Sequence, residues 1–136
     1  MSFAQQMAQT APSKTPIDGA LLAAAVQAAL DCAQACTACA DACLGEQDKE
    51  RLVRCIRLDL DCADICGATA SILSRQTAFE PALARAVLQA CVEACRLCGD
   101  ECEGHAQHGM EHCRVCAEAC RRCEQACSAL LSSLAA

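Results

Sequence analysis

The spacing of cysteine constrains this chain more than any other feature. Cysteines recur in steps of four, three and four residues: Cys32, Cys36, Cys39 and Cys43; Cys91, Cys95, Cys98 and Cys102; Cys116, Cys120, Cys123 and Cys127. A further set, Cys55, Asp59, Cys62 and Cys66, keeps the spacing with an aspartate in its second slot. Cys113 adds one sulfur a helical turn before Cys116. Steps of three and four return to the same face of an α-helix. At 100° per residue each set falls within about 60° of arc. Each set is therefore a stripe of sulfur along one helix.

Together the stripes predict a core built of thiols. Sixteen of the 136 residues are cysteine, against two Phe and no Trp or Tyr. The large side chains that dominate ordinary cores are nearly absent. Ala, Leu, Gln, Glu and Arg are abundant, and all favour helix. The punctuation divides the chain into four helices. The first runs over about 17–44, with Asp18 near its start and Gly45 as its stop. The second runs over about 48–74 and the third over about 81–103, opened by Pro81 and closed by Gly104. The fourth runs over about 110–134, after a loop carrying His105, His108 and Gly109. CAQACTACADAC at 32–43 and CVEACRLCGDEC at 91–102 share an Ala and an Asp besides their cysteines, as in a duplicated helical hairpin.

Short connections make consecutive helices antiparallel neighbours. The predicted fold is thus all-α, an up-down-up-down antiparallel four-helix bundle with a cysteine-lined core. The bundle is expected over 17–136, after a flexible polar arm over 1–16. In this topology the Gly45 turn and the Gly104–Gly109 loop share one end. The other end collects Leu21, Leu22, Val26, Ile72, Leu73, Leu83, Val87, Leu88, Leu130, Leu131 and Leu134, a conventional apolar plug.

The net charge of −6, with no basic patch, argues against nucleic acid. No apolar run is expected to cross a bilayer. The N-terminal segment has neither a basic region nor an apolar stretch of the secretory kind, so the expected compartment is the cytoplasm. Thiols stay reduced there, and so many reduced cysteines point to metal rather than disulfides.

Thiolates are soft ligands that suit Cu(I), Zn(II) and iron–sulfur clusters. Charge discriminates among them. Sixteen buried thiolates need compensation. One Cu(I) per thiolate neutralises the core, whereas filling the same sulfurs with Zn(II) tetrathiolate sites leaves about half the negative charge. Pairs at i,i+3 or i,i+4 lie near enough to share a two-coordinate ion, while a tetrahedral site needs sulfurs converging from several helices. Multiple Cu(I) ions per chain are the best fit, with no catalysis expected. The alternatives are an iron–sulfur electron-transfer protein, a zinc-buffering protein, a redox-sensing thiol protein and a helical disulfide scaffold. Asp59 is either tilted to solvent, with Leu58 turned inward, or a carboxylate beside the metal. Asp61 is expected outside. His105, His108, Met110 and His112 gather at the open end. They are either surface loop residues or a weaker entrance that passes Cu(I) to the stripes.

The CxxxCxxCxxxC stripes at 32–43, 91–102 and 116–127, the CxxxDxxCxxxC variant at 55–66 and the loop at 105–112 resemble those of the bacterial copper storage proteins. The resemblance spans about residues 17–134. It implies storage of many Cu(I) ions by the core cysteines, an entrance at the histidine end, and assembly as a homotetramer. The absence of an export signal resembles the cytosolic branch of that family. A copper chaperone is a further partner in this reading.

Overall fold

The structure, a computed structural model, describes residues 1–134. Among them are five α-helices, one 3-10 turn and no strand: α1 (Phe3–Thr10), α2 (Gly19–Leu44), the turn Lys49–Leu52, α3 (Val53–Leu73), α4 (Pro81–Ala106) and α5 (Glu111–Leu134). The chain is all-α, as expected. Helix α2 opens on the Asp18 side chain, which accepts from the backbone N–H groups of Ala20 and Leu21. Helix α4 opens on Glu80, with Pro81 in its first turn. Both are ordinary ways to satisfy orphan donors at a helix start.

Three boundaries differ from the sequence expectation. The second helix begins with the 3-10 turn before settling into α3 at Val53. Helix α4 runs through Gly104 and His105 to Ala106, so Gly104 is no stop. The break falls at Gly109, whose φ of 88° is a left-handed conformation that glycine adopts at little cost. The segment 1–16, expected as a flexible arm, contains α1, which packs on α2. Ser2 caps this helix reciprocally with Gln5: the Gln5 N–H donates to the serine hydroxyl and the Ser2 N–H to the glutamine amide oxygen.

The four long helices form a closed ring. Helix α2 packs on α3 and α5, and α4 packs on the same two. Across the ring, α2 and α4 stay apart at the backbone, as do α3 and α5, and cysteine side chains fill the space between. All sixteen cysteines are buried and free. Beyond one end of the sulfur column, Leu22, Val26, Leu73, Leu88 and Leu130 are buried together as the expected plug. Leu83, assigned to that plug, is 53% exposed instead. It lies on the outer face of α4, where Ala84 and Leu88 take the inward places.

Helix α2 also corrects the expectation that no segment is apolar enough for a bilayer. It is long enough, and its mean hydropathy of 1.3 is high enough, to meet that test by composition. Cysteine and alanine supply the apolar character, and Cys32, Cys36, Cys39 and Cys43 are spent on the core.

Candidate metal centre

Because each stripe keeps one helical face, the ring of four helices brings the sulfurs into one column, with Asp59 set among them. At the leucine end, Cys127 touches Cys91 and Cys123, each Sγ–Sγ distance being 3.8–3.9 Å. Cys91 meets Cys66 at 3.8 Å, and Cys66 meets Cys62 at 3.8 Å. Cys62 then reaches Cys32 at 3.8 Å, and Cys32 reaches Cys36 and Cys120 at 3.7 and 3.8 Å. Cys36 continues to Cys98 and Cys116 at 3.9 and 3.7 Å. Toward the other end, Cys55 meets Cys102 and Cys39 meets Cys113, both at 3.8 Å. Several four-atom groups lie close enough to hold one ion, each within 4.8 Å throughout: Cys36, Cys98, Cys116 and Cys120; Cys39, Cys55, Cys102 and Cys113; Cys39, Cys43, Cys113 and His112. The sequence stripes, each on one helix, thus become candidate sites shared between helices.

Asp59 does not tilt to solvent. It is wholly buried, Leu58 is only half-buried, and Asp61 is exposed. Its Oδ1 accepts from the thiols of Cys98 at 3.0 Å, Cys116 at 3.3 Å and Cys102 at 3.6 Å, and its Oδ2 from Cys55 at 3.9 Å. Keeping the stripe's phase places it where a sulfur would sit. Burial, reinforced by the neighbouring Cys116 and Cys98, pushes its carboxyl up to about 11, so the acid is neutral in the metal-free core. Burial likewise raises the Cys43 thiol, with Cys55 adding to the effect. Protonated thiols are the low-cost state of such an interior, and a bound cation is what favours their ionisation.

The histidines divide into two groups. His112, on α5, directs Nδ1 to Cys39 Sγ at 3.4 Å and to Cys113 Sγ at 3.7 Å. Its Nε2 is buried without a hydrogen bond, with Glu46 Oε2 3.9 Å away. His105 is on the last turn of α4, paired through Nε2 with Glu101 Oε2 at 2.7 Å. His105, His108 and Met110 line a cleft of about 540 Å³ with Glu46, Arg51 and Leu52. His108 is exposed, and Met110 is half-buried against the core. Only His112 touches sulfur; the other two lie outside it. Leu52, which the sequence reasoning did not single out, is buried beneath this cleft. Its signal was an apolar residue three before Cys55, in phase with the third stripe.

A helical ring around a column of free thiols, with a carboxylic acid and one imidazole among the sulfurs, defines a protein that binds soft metal ions in its core. Comparison with known proteins makes this specific. The sequence model of the copper storage protein family matches residues 19–132, and the chain belongs to that family. It is similar to the copper storage protein Ccsp of Streptomyces lividans, solved with 10 copper equivalents, at 53% identity and a TM-score of 0.92. That match covers 96% of this chain and 98% of that one. A structure of a cytosolic copper storage protein from the same organism with five coppers matches at 58% identity and a TM-score of 0.83, covering 85% and 96% of the two chains. An uncharacterized cysteine-rich protein, YhjQ, of Bacillus subtilis (strain 168) is 35% identical over 107 residues, 79% of this chain and 93% of that one.

Proposed function

We propose that this protein sequesters and stores Cu(I) in the cytoplasm, many ions per chain, without catalysing a reaction. The observation that carries the reading is the sulfur column: neighbouring thiols at 3.7–4.0 Å run from Cys127 to Cys98 and Cys116. Beyond Asp59 the quartet Cys39, Cys55, Cys102 and Cys113, within 4.8 Å throughout, leads to His112, so that successive sulfurs can bridge ions. Bridging makes one monovalent ion per thiolate a neutral filling, which a buried core tolerates. Cys32, Cys36, Cys39, Cys43, Cys55, Cys62, Cys66, Cys91, Cys95, Cys98, Cys102, Cys113, Cys116, Cys120, Cys123 and Cys127 are the ligands in this reading. Asp59 and His112 supplement them where sulfur is missing. His105, His108 and Met110 form the outer entrance.

Residues 17–134 act as an up-down-up-down antiparallel four-helix bundle, with 1–16 as an appendage; positions 135 and 136 of the expected bundle lie outside the described residues. Contacts of Cys55 with Cys102 and of Cys66 with Cys91 support the antiparallel pairing of α3 and α4. The cytoplasmic assignment draws on the cytosolic Streptomyces lividans relative. A homotetramer is the proposed assembly. Phe3, Met7 and Leu30, exposed side by side along α1 and α2, supply apolar surface for contacts between copies. A copper chaperone is the proposed donor.

Anaerobic titration of the reduced protein with Cu(I) against a competing chelator tests the storage reading. Uptake near or above one copper per cysteine is expected. Saturation after one or two equivalents would overturn it.

A further inference from the structure

The sulfurs of Cys32, Cys62, Cys66 and Cys95 outline a tetrahedron, five of whose six edges are of closely similar length. Cys32 lies 3.8 Å from Cys62 and 4.0 Å from Cys95. Cys62 lies 3.8 Å from both Cys66 and Cys95, and Cys66 lies 3.7 Å from Cys95. The remaining edge, between Cys32 and Cys66, is within 4.8 Å. A regular tetrahedron has edges of about 1.63 times its centre-to-corner distance. Four sulfurs at the Zn–S distance of about 2.3 Å are therefore about 3.8 Å apart. Five of the six edges match that spacing before any ion is bound. The sequence argument against tetrahedral sites was that one helix cannot supply four converging ligands. Here α2 supplies one, α3 two and α4 one.

The objection from charge also has an answer in the surroundings. A divalent ion with four thiolates keeps a net charge of about −2, costly in a dry core unless hydrogen bonds disperse it. Thiols outside the quartet touch two of its corners. Cys36 and Cys120 lie 3.7 and 3.8 Å from Cys32, and Cys91 and Cys123 lie 3.8 and 3.9 Å from Cys66. As long as they stay protonated, these thiols can donate S–H hydrogen bonds to the ligand sulfurs, the usual way outer groups stabilise a metal thiolate. Such donors exist only while the rest of the core is free of copper.

We propose that Cys32, Cys62, Cys66 and Cys95 form a preformed tetrahedral tetrathiolate site that binds one Zn(II) in the copper-free protein. Binding releases the four thiol protons and involves no redox change. Cu(I), the softer ion, displaces the zinc as the column fills. The copper-depleted protein is then a zinc-binding protein rather than an idle apo form.

Cobalt(II) chloride reports the site, because a tetrahedral tetrathiolate gives intense visible and thiolate charge-transfer bands that an octahedral aquo site lacks. The first equivalent added anaerobically to the full, reduced chain should develop these bands, and zinc chloride should bleach them. Cys62→Ser and Cys95→Ser should each abolish them, whereas Leu83→Ala, on the exposed outer face of α4, should leave them unchanged. Cys62→Ala, with helicity followed by circular dichroism, separates loss of a ligand from loss of fold. A weak octahedral spectrum at one equivalent, bands that survive the loss of Cys62 and Cys95, or bands equally lost in Leu83→Ala would overturn the assignment. Cu(I) capacity measured on the same samples is independent of it.

Discussion

Asp59 shows how one residue can be read in phase and still be undecided by sequence. Its slot is that of a sulfur, but a charged carboxylate in an apolar stripe suggests rotation outward. The structure resolves the conflict through protonation: four thiols surround the side chain, and burial raises its carboxyl to about 11. The consequence for stability has a definite sign. The folded state holds the proton more tightly than the unfolded chain, so this residue's contribution is fully present below the ordinary carboxylate range. It is lost as pH rises toward the folded value. In urea denaturation of the reduced, metal-free protein, wild type should lose up to about 3 kcal/mol relative to Asp59→Asn between pH 5 and pH 7, at about 1.4 kcal/mol per pH unit. Parallel pH profiles for the two proteins would remove this account of Asp59.

At the scale of elements, the stripes were legible because a helix converts spacing directly into a face. Helix ends were less so. Gly104 reads as a stop, yet a glycine inside a helix costs only about 1 kcal/mol, which packing offsets readily. The chain turns at Gly109, where φ is positive. Seams between helices were invisible in the sequence. Gly99 of α4 faces Arg121 of α5, and a Cβ there would stand 2.8 Å from the guanidinium Nη1. That guanidinium is held by Asp100 at 2.6 Å, Glu103 at 2.8 Å and Glu124 at 3.2 Å, so a larger residue 99 must displace it from its partners. A double-mutant cycle should expose the coupling. In an Arg121→Ala background, Gly99→Ala should stabilise α4 by up to about 1 kcal/mol, whereas with Arg121 present the gain should vanish. Additive effects in thermal unfolding would show that the two residues do not communicate.

At the scale of the whole molecule, the sulfur column has two unlike ends. Leucine and valine close one, while the only histidines lie at the other. In the proposed function, an ion entering by the cleft at His105, His108 and Met110 would reach Cys39 and Cys113 beside His112, whose Nδ1 faces both sulfurs. Replacing the three histidines by alanine should slow Cu(I) uptake about tenfold, equivalent to about 1.4 kcal/mol on the barrier. Final capacity should hardly change, because the cysteines are untouched. Stopped-flow loading at fixed chelator concentration measures both quantities, and an unaltered rate would remove the histidines from the entrance.

Helical spacing and composition were sufficient to establish an all-α chain with four sulfur stripes, a leucine end and a histidine end. Those are consequences of local geometry, in which a fixed rotation per residue leaves little choice. Distances between stripes are not local. Only the packing of α2 against α3 and α5, and of α4 against the same pair, set sulfurs from different helices at 3.7–4.0 Å. That packing also buried Asp59 and separated His112 from His105 and His108, while the expected arm 1–16 carries a short helix, Phe3–Thr10, resting on α2. The identity of the candidate ligands lies in the spacing of single helices, but the shape of each candidate metal site belongs to the ring, because no helix alone can surround an ion.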